Sequence, residues 1–84
     1  MLSDPLLQKT ILDLLAERRA YGAATEELVG AEAGIRLRRR LVTRQVRAAL
    51  VECAERGWVN ETQDDWGLPL WELTAAGEAR QREP

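Results

Sequence analysis

The chain has 84 residues, 45% of them apolar, with twelve cations against fourteen acids and a formal net charge of -2. That length and apolar share fit one small globular domain, with a core near the lower limit of self-sufficiency, and exclude a disordered chain. No apolar run reaches the length of a membrane span, and the N-terminus has neither the basic start nor the long apolar core of a signal peptide.

Cys53 is the only cysteine, so no disulfide can form within the chain, and a reducing, cytoplasmic setting is expected. Histidine is absent, which removes the commonest general base and the commonest metal ligand. Neither a nucleophile–base pair, a phosphate-binding loop nor a zinc ligand set is visible. No enzyme, cofactor or metal site is therefore expected.

Asp4-Pro5 opens the first predicted helix, an N-cap aspartate followed by proline at the first helical position. Leu7, Ile11, Leu14 and Leu15 recur at helical spacing, Leu6 and Leu12 widen the stripe, and Lys9, Asp13, Glu17 and Arg18 face away. The spacing predicts a core helix over about 5–20. Tyr21 to Ala24 breaks the period and suits a very short strand. Thr25 caps a second helix, with Glu26 and Glu27 favourable in its first turn and Leu28, Val29 and Ala33 inward. Gly30 weakens this helix by about 1 kcal/mol relative to alanine. Gly34 is expected to end it, and residues 34–42 then form a long turn with room for a helical piece.

A third helix is predicted over about 43–56, with Thr43 as N-cap and Gly57 just past its end. Val46, Ala49, Leu50 and Cys53 make its inward stripe, flanked by Val42 and Gly57. Its outward face carries Arg44, Ala48, Glu52 and Glu55, with Gln45 and Arg47 on the borders. Residues 58–73 read as a hairpin, in which Trp58–Thr62 and Leu70–Leu73 are strand formers and Gln63–Gly67 is turn chemistry. Thr74 caps a terminal helix over about 75–82. The expected core is Leu7, Ile11, Leu14, Leu15, Leu28, Val46, Leu50, Cys53, Val59 and Leu73. Trp58 and Trp71 are expected to pack the hairpin on the helices, and Trp66 to stand exposed at its tip. The fold class is mainly α with a small β-hairpin (α+β), in one domain over 1–84.

Charge is segregated along the chain. Six of the twelve cations lie between Arg36 and Arg47 with no acid among them, which leaves six cations and fourteen acids, -8, on the other seventy-two residues. That is a basic stripe on an acidic body, and local field rather than net charge steers a charged partner. Arg44, Gln45 and Arg47 stand at the front of the third helix, Glu52 and Glu55 at its rear. Both placements of charge oppose the helix dipole, at about 0.3–1 kcal/mol each when exposed, so helix stability does not account for them. Arginine pairs bidentately with guanine and glutamine with adenine, and Ala48 is small enough to permit close approach. Base contacts are thus expected at Arg44, Gln45, Arg47 and Ala48. The run Arg36, Arg38, Arg39, Arg40 is interleaved with Ile35, Leu37 and Leu41, which are expected to anchor it. With Thr43, those arginines are the candidate phosphate contacts. The plain alternative is a solvated face on a surface helix, the usual fate of a charge run.

The order helix, short turn, helix, helix, hairpin, helix resembles the winged helix-turn-helix DNA-binding domains of bacterial and phage regulators, the MarR-like, PadR-like and ArsR-like groups. Three stretches carry the likeness: Thr25-Glu26-Glu27-Leu28, then Val42 to Leu50 running on to Gly57-Trp58-Val59, then Trp71-Glu72-Leu73-Thr74-Ala75-Ala76-Gly77. The last is similar to the aromatic-x-Leu-Thr-x-x-Gly ending of the second wing strand. The resemblance implies a recognition helix from Thr43 to Arg56, a wing from Glu61 to Leu70, double-stranded DNA as partner, and a role in transcription regulation. The chain departs from the pattern in three ways. It lacks the cysteine or histidine clusters of ArsR-like metal sensors. Its wing carries Glu61, Asp64 and Asp65 and no cation between Val59 and Leu73. It is too short to supply in full the extra helices of MarR-like and PadR-like dimers. A homodimer through Leu2, Leu6 and the terminal helix is expected. The acidic wing and Trp66 support a different reading, a protein-interaction module that binds no nucleic acid.

Overall fold

The computed structural model describes residues 4–83. Leu2, expected at a homodimer contact, lies outside them. The elements in chain order are α1 (Pro5–Glu17), a single 3-10 turn (Arg19–Tyr21), β1 (Ala24–Thr25), α2 (Glu26–Leu37), α3 (Thr43–Glu55), β2 (Val59–Gln63), β3 (Pro69–Leu73) and α4 (Ala75–Arg82). The class is α+β: four α-helices among the described residues around a small antiparallel sheet of order β1-β3-β2. The predicted hairpin is present, with Val59 opposite Leu73 and Gln63 opposite Pro69. It gains a third strand, because Ala24 and Thr25 pair with Trp71 and Leu70.

α1 starts as its sequence dictates. The Asp4 carboxylate accepts a hydrogen bond from the Leu6 amide at 2.9 Å, and Pro5 needs no acceptor. It stops at Glu17, short of the expected end, because Leu15 is the last apolar residue of its stripe. The chain turns there, with the Arg18 guanidinium 5.6 Å from the centre of the Tyr21 ring.

α2 runs past its expected end. Gly34 stays helical, and the helix closes with the Arg39 amide donating to the Gly34 carbonyl at 3.1 Å and the Arg38 amide to that of Ile35 at 3.3 Å. This is a Schellman closure, which usually places glycine at the left-handed position. Here Arg38 occupies it, at φ 55°. Gly34 serves the return of the chain instead. A Cβ on it would lie 2.9 Å from the Arg39 carbonyl oxygen, closer than side chains tolerate.

α3 is capped one residue earlier than expected. Val42, not Thr43, is the N-cap, and Thr43 is the first helical residue. A valine side chain accepts no hydrogen bond. The reciprocal half of a capping box stands alone, with the Gln45 Oε1 accepting from the Val42 amide at 2.9 Å.

One core binds the elements. Leu7, Ile11, Leu12, Leu14 and Leu15 of α1 meet Val29 and Ala33 of α2, Val46, Ala49, Leu50 and Cys53 of α3, and Val59 and Trp71 of the sheet. Leu28 and Leu73, expected in the core, are half-buried against it. Of the residues expected to anchor the arginine run, Leu37 and Leu41 pack against the core but Ile35 is exposed, as is Val42, expected to flank the inward stripe of α3. α2 crosses α3 at Gly30, where a Cβ would stand 3.2 Å from Val46 Cγ2. α4 closes the far side of α1, where Gln81 Nε2 donates to Asp13 Oδ1 at 3.0 Å and Lys9 donates to the Gln81 carbonyl. No described helix is long and apolar enough to cross a membrane.

Candidate functional site

The stretch from Arg36 to Ala48 spans the last turns of α2, the connection and the exposed front of α3. Arg44, Gln45, Arg47 and Ala48 all lie on the solvent side, while Val46, Ala49, Leu50 and Cys53 fill the core behind them. The packing of that inner stripe therefore fixes which α3 side chains face outward.

The six cations of the stripe fall into two sets. Arg36 grips Glu17 with both guanidinium nitrogens, at 2.6 and 3.0 Å. That hydrogen bond, with the accompanying charge, holds the Glu17 carboxyl below its ordinary range and raises the Arg36 guanidinium. Arg39 reaches Asp4 at 2.5 Å, and this contact, reinforced by the Leu6 amide, lowers the Asp4 carboxyl. Arg47 donates to Glu26 and lies 3.8 Å from Glu61 of β2. Glu26 Oε1 also accepts from the indole nitrogen of the buried Trp71 at 3.3 Å. Arg47 is thus held between the start of α2 and the hairpin. Arg38, Arg40 and Arg44 form the second set: no acid among the described residues pairs with them. Sequence spacing cannot separate the two sets, because the acids involved lie far away along the chain.

Gln45 has a double position. Its carbonyl oxygen holds the helix start, while its side-chain NH₂ has no partner among the described residues. Thr43 and Ala48 are exposed. Between α2 and the incoming chain lies an open groove of about 650 Å³, whose walls include Gly30, Ala31, Gly34, Ile35, Arg38 and Arg40. No local sequence pattern marks the groove, because its walls come from separate segments of the chain. Its shallow α2 wall follows from the small residues Gly30, Ala31 and Gly34.

The hairpin tip is built by one aspartate. Asp64 Oδ1 accepts from the amides of Trp66 at 2.8 Å and Leu68 at 2.9 Å, and Gly67 takes the positive φ of 80° that the turn requires. Trp66 is 86% exposed and Leu68 57%. Leu6, the remaining apolar candidate contact, is exposed on α1, while α4 is tied to α1 by the bonds of Gln81.

Burial pushes the Cys53 thiol up to about 11, which leaves it protonated and unreactive at neutral pH. The described residues contain no group of three or more His, Cys, Asp or Glu placed to hold a metal ion. Comparison with protein-family models, with curated proteins and with solved structures returned no match.

Proposed function

We propose that the chain is a winged helix-turn-helix domain that binds double-stranded DNA, with α3 entering the major groove and a role in transcription regulation. The order of helices and strands, and an α3 whose apolar side is buried while Arg44, Gln45 and Ala48 face solvent, support the reading.

Arg38 carries it. A left-handed backbone costs a residue with a Cβ about 1–2 kcal/mol, and glycine would sit there freely. The long side chain gains no ion pair in return. Strain retained without a structural benefit points to a use outside the fold. An unpaired cation at the turn before a recognition helix suits a phosphate. Arg40 and the Thr43 hydroxyl extend that contact. Arg44, Gln45 and Ala48 then face the base edges. Arg36, Arg39 and Arg47, expected among the contacts, would first have to exchange a carboxylate for a phosphate. They serve mainly to hold the surface in shape.

A duplex titration over a series of salt concentrations, with random and enriched sequences, tests the assignment. Arg38→Gly should leave the melting temperature unchanged or higher, yet weaken all duplexes alike and lower the salt slope by about one unit. Arg44→Ala should cost about 1–3 kcal/mol on the preferred sequence and relax preference at one position. Absence of duplex affinity at low salt would overturn the reading.

A further inference from the structure

DNA binding leaves the hairpin tip unexplained. Its acids would repel phosphates, and its two large apolar side chains stand in solvent. We propose that the tip of one copy docks in the α2–α3 groove of a second copy, with Trp66 as the anchor. The proposal does not rest on the DNA reading.

Four observations carry it. First, the tip is preorganised. Two amides bind the Asp64 carboxylate, the Asp64 amide donates to the Leu68 carbonyl at 3.0 Å, and the Gly67 amide donates to the Asp64 carbonyl at 3.0 Å. A turn already fixed gives up little freedom on binding, and an exposed tryptophan on it is a typical interface anchor. Second, the groove can take it. At about 650 Å³ it has room for an indole and a leucine side chain, and its α2 wall is Gly30, Ala31, Gly34 and the 75%-exposed Ile35.

Third, the charges match. Asp65 stands beside Trp66 in solvent, and the groove ends in Arg38 and Arg40, which no described acid satisfies. Asp64 Oδ1 is engaged by two amides of the turn, whereas Asp65 is exposed with no bonded partner among the described residues, so Asp65 is the acid presented to them. Glu26 and Glu27 line the groove at the other end of α2, where Glu26 is held by Arg47. An acidic tip is therefore steered towards the arginine end. Fourth, the tip does not fill the groove of its own chain, since Trp66 is almost fully exposed. The contact needs another molecule. Tip and groove are different patches, so two copies exchanging tips about a two-fold axis would close the assembly.

Sedimentation equilibrium of the full chain, without nucleic acid, tests the pairing. The wild type should self-associate as concentration rises. Trp66→Ala on the tip and Ile35→Glu in the groove should each weaken association by about tenfold or more. Both positions are exposed, so both variants should keep the wild-type circular dichroism spectrum and melting temperature. Mixed in equal amounts, the two variants should form a 1:1 heterodimer, because an intact tip from one meets an intact groove from the other. A contact through Leu6 and α1 would show neither the losses nor the rescue. A wild type that stays monomeric at millimolar concentration, variants that associate like the wild type, or a mixture no tighter than its parts would each overturn the proposal.

Discussion

Gly77 lies in the first turn of α4, where the sequence pattern places a glycine for no local reason. A Cβ on it would overlap the carbonyl oxygen of Trp58 and stand 2.8 Å from the carbonyl carbon, in backbone that cannot swing aside. Gly77→Ala should therefore destabilise by about 1–3 kcal/mol although alanine is the better helix former, as overpacking does. Thermal melts read this directly. Leu50 is fully buried at the centre of the core. Leu50→Ala should cost about 2–5 kcal/mol by urea titration, and a loss well under 1 kcal/mol would be incompatible with that position. Trp58 and Trp71 divide their work. Trp71 is enclosed, with its indole nitrogen on Glu26, while Trp58 is half-buried between the guanidinium groups of Arg56 and Arg80, at 5.1 and 5.2 Å.

Elements are joined by ion pairs as well as by apolar packing. Asp4 and Glu17, at the two ends of α1, are held by Arg39 and Arg36. Both carboxyls titrate below their ordinary values of 3.8 and 4.5 when folded. A depressed carboxyl adds stability above its unfolded value, and that share is lost as pH falls through the folded one. Stability should decline as pH drops from about 5 towards 3, and Glu17→Gln should flatten that decline; melts across this range check both. These groups are exposed, so the effect is modest and shrinks in high salt. The hairpin depends on Asp64 in a different way. Asp64→Ala removes the acceptor of two amides. Hydrogen exchange at Trp66 and Leu68 should accelerate, while the core of α1 and α3 keeps its protection.

At the scale of the whole molecule, charge is sorted into a basic band on an acidic body, and the fold subdivides the band. Pairing engages Arg36, Arg39 and Arg47, half of the band, and leaves Arg38, Arg40 and Arg44 without an acid among the described residues. The acidic hairpin opposes them. Asp65→Lys, which spares the turn, should tighten non-specific duplex binding and increase its salt dependence. The same change should weaken self-association, because it puts a cation opposite Arg38 and Arg40. Running the titration and the sedimentation on this one variant separates the two roles: gain in the first with loss in the second is the expected result.

Features that depend on neighbours along the chain can be read without the fold. The caps at Asp4, Thr25 and Thr74, the inward stripes of α1 and α3, the hairpin with its exposed Trp66 and the span of α4 were all legible. Caps and periodicities act over three or four residues, so a linear reading contains them. The remaining features come from contacts between residues distant along the chain. α2 continues past Gly34 because the returning Arg39 needs room over that glycine and Arg36 meets Glu17 across the surface. Thr43 lost the cap to Val42 because Gln45 supplied the hydrogen bond. Above all, no local rule tells Arg38 from Arg39, or Arg44 from Arg47. The partners that silence Arg36, Arg47 and Arg39 are 19, 21 and 35 residues away in sequence. Hydrogen bonds and Coulomb attraction depend on distance in space, and folding sets that distance.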